Sequence, residues 1–209
     1  YIQRINEIKG GEIYSYIRGN QYAIVYRNDR IKVNAFSIYK GTQVFAFMPL
    51  IANFETINTG SNFNFSIITI HTSPKLAEDE IPALRLVINE VKNLYSEPDV
   101  LCVGDYNADG DYYNEGDSEW LSGFNPELYI TGIPNSYDTT VAPSSNTYDR
   151  IQMTKSLSTD YSGNAGIFEF GKYYNISECE GGKTTAGTEK AISDHYPVWC
   201  EFYIDKDTD

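Results

Sequence analysis

Val103-Gly104-Asp105-Tyr106-Asn107-Ala108 closes an apolar run that begins at Val100, and Ala191-Ile192-Ser193-Asp194-His195-Tyr196-Pro197-Val198 opens another near the end of the chain. Each string sets hard oxygen or imidazole groups directly against residues that read as a buried strand. A carboxylate, a carboxamide and an imidazole thereby reach the rim of a sheet, where a divalent cation and a phosphate can be held together. The chain has two histidines, His71 and His195, and both end or flank such strands. These residue types in these places predict metal-assisted hydrolysis of a phosphodiester.

Spacing sharpens the expectation. Asp105 and Asn107 stand two apart, so on extended backbone both side chains leave on one side and can share a cation or a phosphate. The competing reading is an ordinary turn, which Asx residues favour, and the string alone divides evenly between the two. Asp109, Asp111 and Asp117 continue an acidic loop read as meeting solvent. Neighbours on a strand point oppositely, which lets Asp194 face a metal while His195 faces the scissile phosphate. The pair Asp149-Arg150 reads as part of the same chemistry or, less favourably, as a surface ion pair.

A chain of 209 residues suits a single domain over 1–209, and no linker composition divides it. The 41% hydrophobic content, with 18 Tyr and 10 Phe, argues for a folded protein. No run of 18 apolar residues is present, so no membrane span is expected. The formal charge of −13 has the wrong sign for tight non-specific binding to nucleic acid by counterion release. A nuclease is still compatible with it, because a divalent cation inverts the local field at the phosphate. Of the three cysteines, Cys102 reads as a buried free thiol, while the spacing of Cys179 and Cys200 leaves their pairing open. The chain starts at Tyr1 rather than Met, which reads as a processed product or a piece of a longer protein. The compartment stays open, with a secreted or cell-surface location favoured.

Strand patterns dominate. Residues 21–27 and 31–39 read as a hairpin turned by Asn28-Asp29-Arg30, and 44–54 and 63–71 as two more strands. The last of these alternates Phe63, Phe65, Ile67, Thr69 and His71 on one face. Residues 79–95 carry the helical stripe Ile81, Leu84, Ile88, Val91 and Tyr95, and Pro82 requires the helix to start close to Asp79. Residues 110–143 read as irregular, 148–154 as a strand, 156–187 as a long Gly/Ser/Thr-rich surface excursion, and 197–204 as a closing strand. Val198, Cys200 and Phe202 share one side of that last strand.

Together with residues 22–27, Ile70-His71-Thr72, Asp138-Thr139-Thr140 and Tyr148-Asp149-Arg150-Ile151, the two strings resemble the signature motifs of the endonuclease/exonuclease/phosphatase superfamily, most closely its deoxyribonuclease I branch. The resemblance implies an α+β fold, a four-layer αββα sandwich, and hydrolysis of DNA with Mg²⁺ or Mn²⁺. By resemblance, Asp105, Asn107 and Asp194 hold the metal. His195 deprotonates the attacking water with Asp149 orienting its ring, and His71 serves the leaving oxygen. Asp138, Thr140, Ser144 and Asp109 match part of a loop that holds a structural Ca²⁺, with an Asx turn as the equal alternative.

This chain departs from the family pattern at several places. Asn20 stands where the family has a glutamate that orients the first histidine, and Phe47-Met48-Pro49 stands for an Arg-Glu-Pro string. Gly110 and Asn146 occupy two disulfide positions. Residues 1–20 lack the two front strands and the metal-binding Gln-Glu pair, residues 1–8 read as the helix that follows them, and neither Glu7 nor Glu12 has a strand context. The resemblance thus implies an N-terminally incomplete fold that an upstream segment would complete. A phosphatase or phospholipid phosphodiesterase is the nearest rival, and a degenerate, non-catalytic binding or surface module of the same fold is the rival from another class.

Overall fold

The computed structural model describes residues 1–43, 45–58, 60, 62–116, 118, 120–177, 188–205 and 207. Its elements are α1 (Ile2–Lys9), β1 (Tyr14–Arg18), β2 (Ala23–Arg27), β3 (Ile31–Ile38), β4 (Leu50–Thr56), β5 (Asn64–His71), α2 (Ala77–Tyr95), β6 (Val100–Asp105), β7 (Tyr129–Thr131), β8 (Asp149–Thr154), β9 (Tyr161–Ile167) and β10 (Val198–Phe202). Six strands form one sheet in the order β3-β4-β5-β6-β8-β7, and β1-β2 and β9-β10 form two antiparallel pairs. Within the large sheet β5 and β6 run parallel, joined by α2 as the crossover.

Alternation along the strands explains the layering. Ile68 and Ile70 of β5, with Val100 and Cys102 of β6, pack on Ile81, Leu84, Ile88 and Val91 of α2. The opposite face carries Leu50, Ala52 and Phe54 against Ile17 and Ile24 of the first pair. Farther along that face Leu101, Ile151 and Met153 meet Ala165, Val198, Cys200 and Phe202 of the second pair. Helix α1 lies outermost against β1, where the Asn6 amide bonds both the N–H and the C=O of Tyr14. The order of layers is helix, six-stranded sheet, paired strands, helix. Cys102 is a buried free thiol, and Cys200, also free, faces the core with Val198 and Phe202; Cys179 lies outside the described residues.

Four sequence expectations are corrected. Asn28-Asp29-Arg30 is a turn, but β2 pairs back onto β1 while β3 pairs with β4. The same alternation satisfies either partner, so pattern alone does not choose. The strand expected over 44–54 begins at Leu50, and Val44 lies outside the described residues. Helix α2 begins at Ala77, which puts Pro82 in the second turn. The start is set by Glu80, whose buried carboxylate reaches back to accept the Ser73 N–H. Residues 161–167, placed in a surface excursion, form β9 against β10, with Gly166 beneath the Trp199 indole. Glycine and serine hide the alternation there, and 178–187 lie outside the described residues.

Gly104 is the tightest point of the large sheet. Its φ is +142°, and a Cβ placed on it would lie 1.9 Å from the Ile70 carbonyl oxygen across the β5–β6 ladder. Only glycine accepts both conditions. Gly104→Ala is expected to cost on the order of 3 kcal/mol, read as a lower urea midpoint; an unchanged midpoint would contradict this account of the ladder.

Candidate active site

Three strand ends stand side by side at one rim. In the ladder His71 is opposite Asp105, and Asp105 is opposite Asp149. All three side chains have the parity of the sheet face turned away from α2, so one face of three adjacent strands presents an imidazole and two carboxylates. A fourth segment closes in from the chain end. Residues 193–196 are stitched to the loop before β8 by Val141 N–H to Asp194 O, Tyr196 N–H to Thr139 O, and a bridge between Thr140 and His195. This brings His195 Nδ1 to 2.7 Å from Asp149 Oδ2. The buried Thr139 hydroxyl accepts the Tyr148 and Asp149 N–H groups, fixing the carboxylate end of that pair.

Asn107 lies beside them in the left-handed region, φ 46°. Its N–H donates to Asp105 Oδ1 at 2.8 Å, and its side-chain amide donates to Thr72 O at 2.8 Å. The turn and the shared site are therefore the same feature: the Asx turn aims Asp105 and leaves the Asn107 side-chain oxygen unused by these two bonds. Asp194 is exposed on the His195 side. His71 Nε2 is 3.6 Å from Asp105 Oδ2, and the Phe47 ring lies on the imidazole with centroids 5.5 Å apart. Asn20, at the position of the family's orienting glutamate, is exposed in the turn between β1 and β2; the described contacts of His71 are with Asp105, Phe47 and Tyr22.

Electrostatics follow from this crowding. Burial pushes the Asp105 carboxyl up, the Asn107 N–H pulls it down, and the Asp149 charge raises it again. His195 is pushed from its ordinary 6.5 up to about 9, chiefly by its hydrogen bond to Asp149. The folded value lies above the unfolded one, so the stability this pair contributes is complete below pH 6.5 and is lost as pH rises through about 9. In chelator, the His195 ring is expected to titrate near 9 by NMR, and Asp149→Asn to return it towards 6.5. A value near 6.5 in the parent chain would contradict the pairing.

Among the described residues no group of three or more His, Cys, Asp and Glu side chains is arranged to hold a metal ion. Asp105 and Asn107 share this rim and are donor types that suit a divalent cation keeping most of its water, while Asp194 is exposed beside His195. The Asp149 charge opposite Asp105 favours positive charge at this rim. At the Asp138 loop, Oδ1 accepts the Thr140 and Asn146 N–H groups, and the Thr140 hydroxyl lies between Asp138 Oδ1 and Ser144 O. Asp109 accepts from Gly110 and Thr147. The Thr140 N–H bond to Asp138 Oδ1 is that of an Asx turn, and the bonds from Asn146 and Thr147 tie the loop to the segment before β8. Gly110 and Asn146 face each other, as a Cβ on Gly110 would lie 3.0 Å from Asn146 Oδ1.

Arg150 corrects the ion-pair reading of Asp149-Arg150. Adjacent on β8, the two side chains leave on opposite faces: Asp149 goes to His195, while Arg150 is fully buried and pairs with Glu115 at 2.6 Å. Sequence reasoning did not single out Glu115, Thr139 or Glu80 as supports of the site, and their roles carry no local signal.

No protein-family model matches the chain. Deoxyribonuclease-1 of Oryctolagus cuniculus is 30% identical over 217 residues, an alignment that covers 94% of this chain and 73% of the relative. The chain belongs to the deoxyribonuclease I-like branch of the endonuclease/exonuclease/phosphatase superfamily. Deoxyribonuclease-1-like 1 of Mus musculus is 29% identical over 208 residues, 94% of this chain and 63% of that protein. The chain thus spans about two thirds of the curated relatives it matches. The solved structure of a humanized D. rerio TDP2 shares the deoxyribonuclease I-like fold, with a TM-score of 0.60 at 16% identity over 97% of this chain and 82% of that one. Both relatives of this deoxyribonuclease I-like chain are named as deoxyribonucleases, which supports phosphodiester hydrolysis.

Proposed function

We propose that this chain hydrolyses the phosphodiester backbone of DNA with the help of Mg²⁺ or Mn²⁺. The observation that carries the reading is the 2.7 Å contact between His195 Nδ1 and Asp149 Oδ2 at the same rim as Asp105 and His71. With Nδ1–H committed to Asp149, Nε2 of His195 is the nitrogen left to take a proton from an attacking water. The new P–O bond forms as the P–O bond to the leaving group breaks, and His71 delivers a proton to the departing oxygen. Asp105, Asn107 and Asp194 would hold the cation, which when bound neutralises the phosphoryl oxygens. Positive charge beside Asp105 and Asp194 also lowers the His195 value, bringing it closer to neutral pH.

Two carboxylates and one amide are a sparse donor set, so the cation is expected to bind weakly and activity to keep rising with added metal. Nicking of supercoiled plasmid by residues 1–209, which lack the family's metal-binding Gln-Glu pair, is expected to be slow at best, to depend on Mg²⁺ or Mn²⁺, to stop in EDTA, and to fall to background in Asp105→Ala. Nicking that survives EDTA would overturn the metal assignment. Inertness towards DNA, RNA and simple phosphodiesters at millimolar Mg²⁺ and Mn²⁺ would favour a binding module of the same fold.

A further inference from the structure

We propose that Tyr22 and Phe47 are positioning residues for His71, holding its imidazole towards the leaving oxygen; this rests on the role given to His71 above. The Tyr22 hydroxyl donates to the Phe47 carbonyl at 3.1 Å and accepts the His71 backbone N–H at 3.0 Å. One hydroxyl therefore ties the loop before β4 to the end of β5. The Phe47 ring then lies over the imidazole, 5.5 Å between centroids at 35°. Burial pushes the Tyr22 hydroxyl up to about 12, so it remains a donor throughout the working range of pH.

The loop and the end of β5 share a second tie beside this contact. Glu80, 1% exposed, accepts the Ala46 N–H at 2.5 Å and the Ser73 N–H at 2.8 Å. Ala46 immediately precedes Phe47, and Ser73 follows His71 by two residues. A buried carboxylate with two backbone donors is a strong tie, and it binds both segments to the first turns of α2. With Phe47 over the ring and Asp105 Oδ2 at 3.6 Å from Nε2, the side chain of His71 remains 44% exposed, open towards the rim. In this chain the orienting work expected of position 20 is done by a stacked ring and a bridging hydroxyl.

A proton donor matters for a poor leaving group and little for a good one, which provides the test. Two thymidine phosphodiesters are compared: the dinucleotide, which expels an alkoxide, and the p-nitrophenyl ester of thymidine 5′-monophosphate, which expels a stabilised phenolate. On the dinucleotide, Tyr22→Phe and Phe47→Leu are each expected to lower kcat by about 10–100-fold with KM little changed. On the p-nitrophenyl ester both variants should match the parent within about twofold, since the phenolate leaves without a proton. Phe47→Tyr keeps the ring and should restore the dinucleotide rate. Equal slowing on both substrates, or rescue failing with Phe47→Tyr, would overturn the positioning role. His71→Ala serves as the reference: a loss on the dinucleotide alone supports its role as donor, whereas equal loss on both substrates overturns that role and the proposal with it. A parent chain inert on both esters overturns the reading of the site itself.

Discussion

Arg150→Met is expected to destabilise the protein by about 3–5 kcal/mol, because it strands a carboxylate that now has a buried partner. The guanidinium is fully buried, bonds Glu115 at 2.6 Å and Asn135 Oδ1 at 2.5 Å, and also donates to Ala108 O and Ile133 O. It therefore joins β8 to the loop after β6 and to the segment after β7, directly behind Asp105 and Asp149. Burial pulls the Arg150 pKa down while Glu115 pulls it up, and because a guanidinium stays charged in either case, the partner serves to offset the cost of burying it. For a chain of this length the loss corresponds to a fall in Tm of roughly 6–20 °C. Glu115→Gln combined with Arg150→Met should cost less than the sum of the single changes, as expected for two groups in direct contact. Additive effects, or a Tm within about 2 °C of the parent in Arg150→Met, would place the stability of this rim elsewhere.

His195→Ala is expected to lower kcat for plasmid or dinucleotide hydrolysis by about 10²–10⁴-fold, the usual cost of losing a general base. Asp149→Asn should approach the same loss without removing the ring, since it takes away the charge that fixes the Nδ1–H tautomer. The two losses should not add, because both act on one proton transfer. The fold should survive His195→Ala with a lowered Tm: the variant loses the pairing with Asp149, but residues 194–196 are also held by the backbone bonds to Val141 and Thr139. Thermal melting run beside the kinetics separates the two effects. Turnover within about tenfold of the parent in His195→Ala would remove this residue from the catalytic machinery.

How much of this was readable beforehand differs by residue. Asp105, Asn107 and His195, which the structure sets at one rim, were legible because their signal is local: polar groups set against apolar runs, at spacings that strand geometry turns into direction. His71 was placed on a face with Phe65, Ile67 and Thr69 by alternation alone, and the structure keeps that face. The stripe of α2 was likewise legible, since helical periodicity is a property of neighbours in sequence. Its start was not, because Glu80 sets it through Ser73 and Ala46, and a hydrogen bond to a distant loop leaves no mark on the pattern.

Alternation and adjacency in the chain thus determined to which side of its own strand each residue points: the apolar faces, and His71, Asp105 and Asp149 at the strand ends. Tertiary structure decided who stands opposite whom. β2 chose β1 over β3, β9 emerged from a glycine-rich stretch because β10 covers it, and Arg150 turned inward to Glu115 rather than outward to solvent. The same distinction governs His71, whose ring is held by Phe47 and Tyr22 rather than by Asn20. Side-chain direction is set by a backbone period that the chain writes into itself. Partner choice is a comparison of burial and hydrogen-bond free energies between segments far apart in sequence, and only the folded chain makes that comparison.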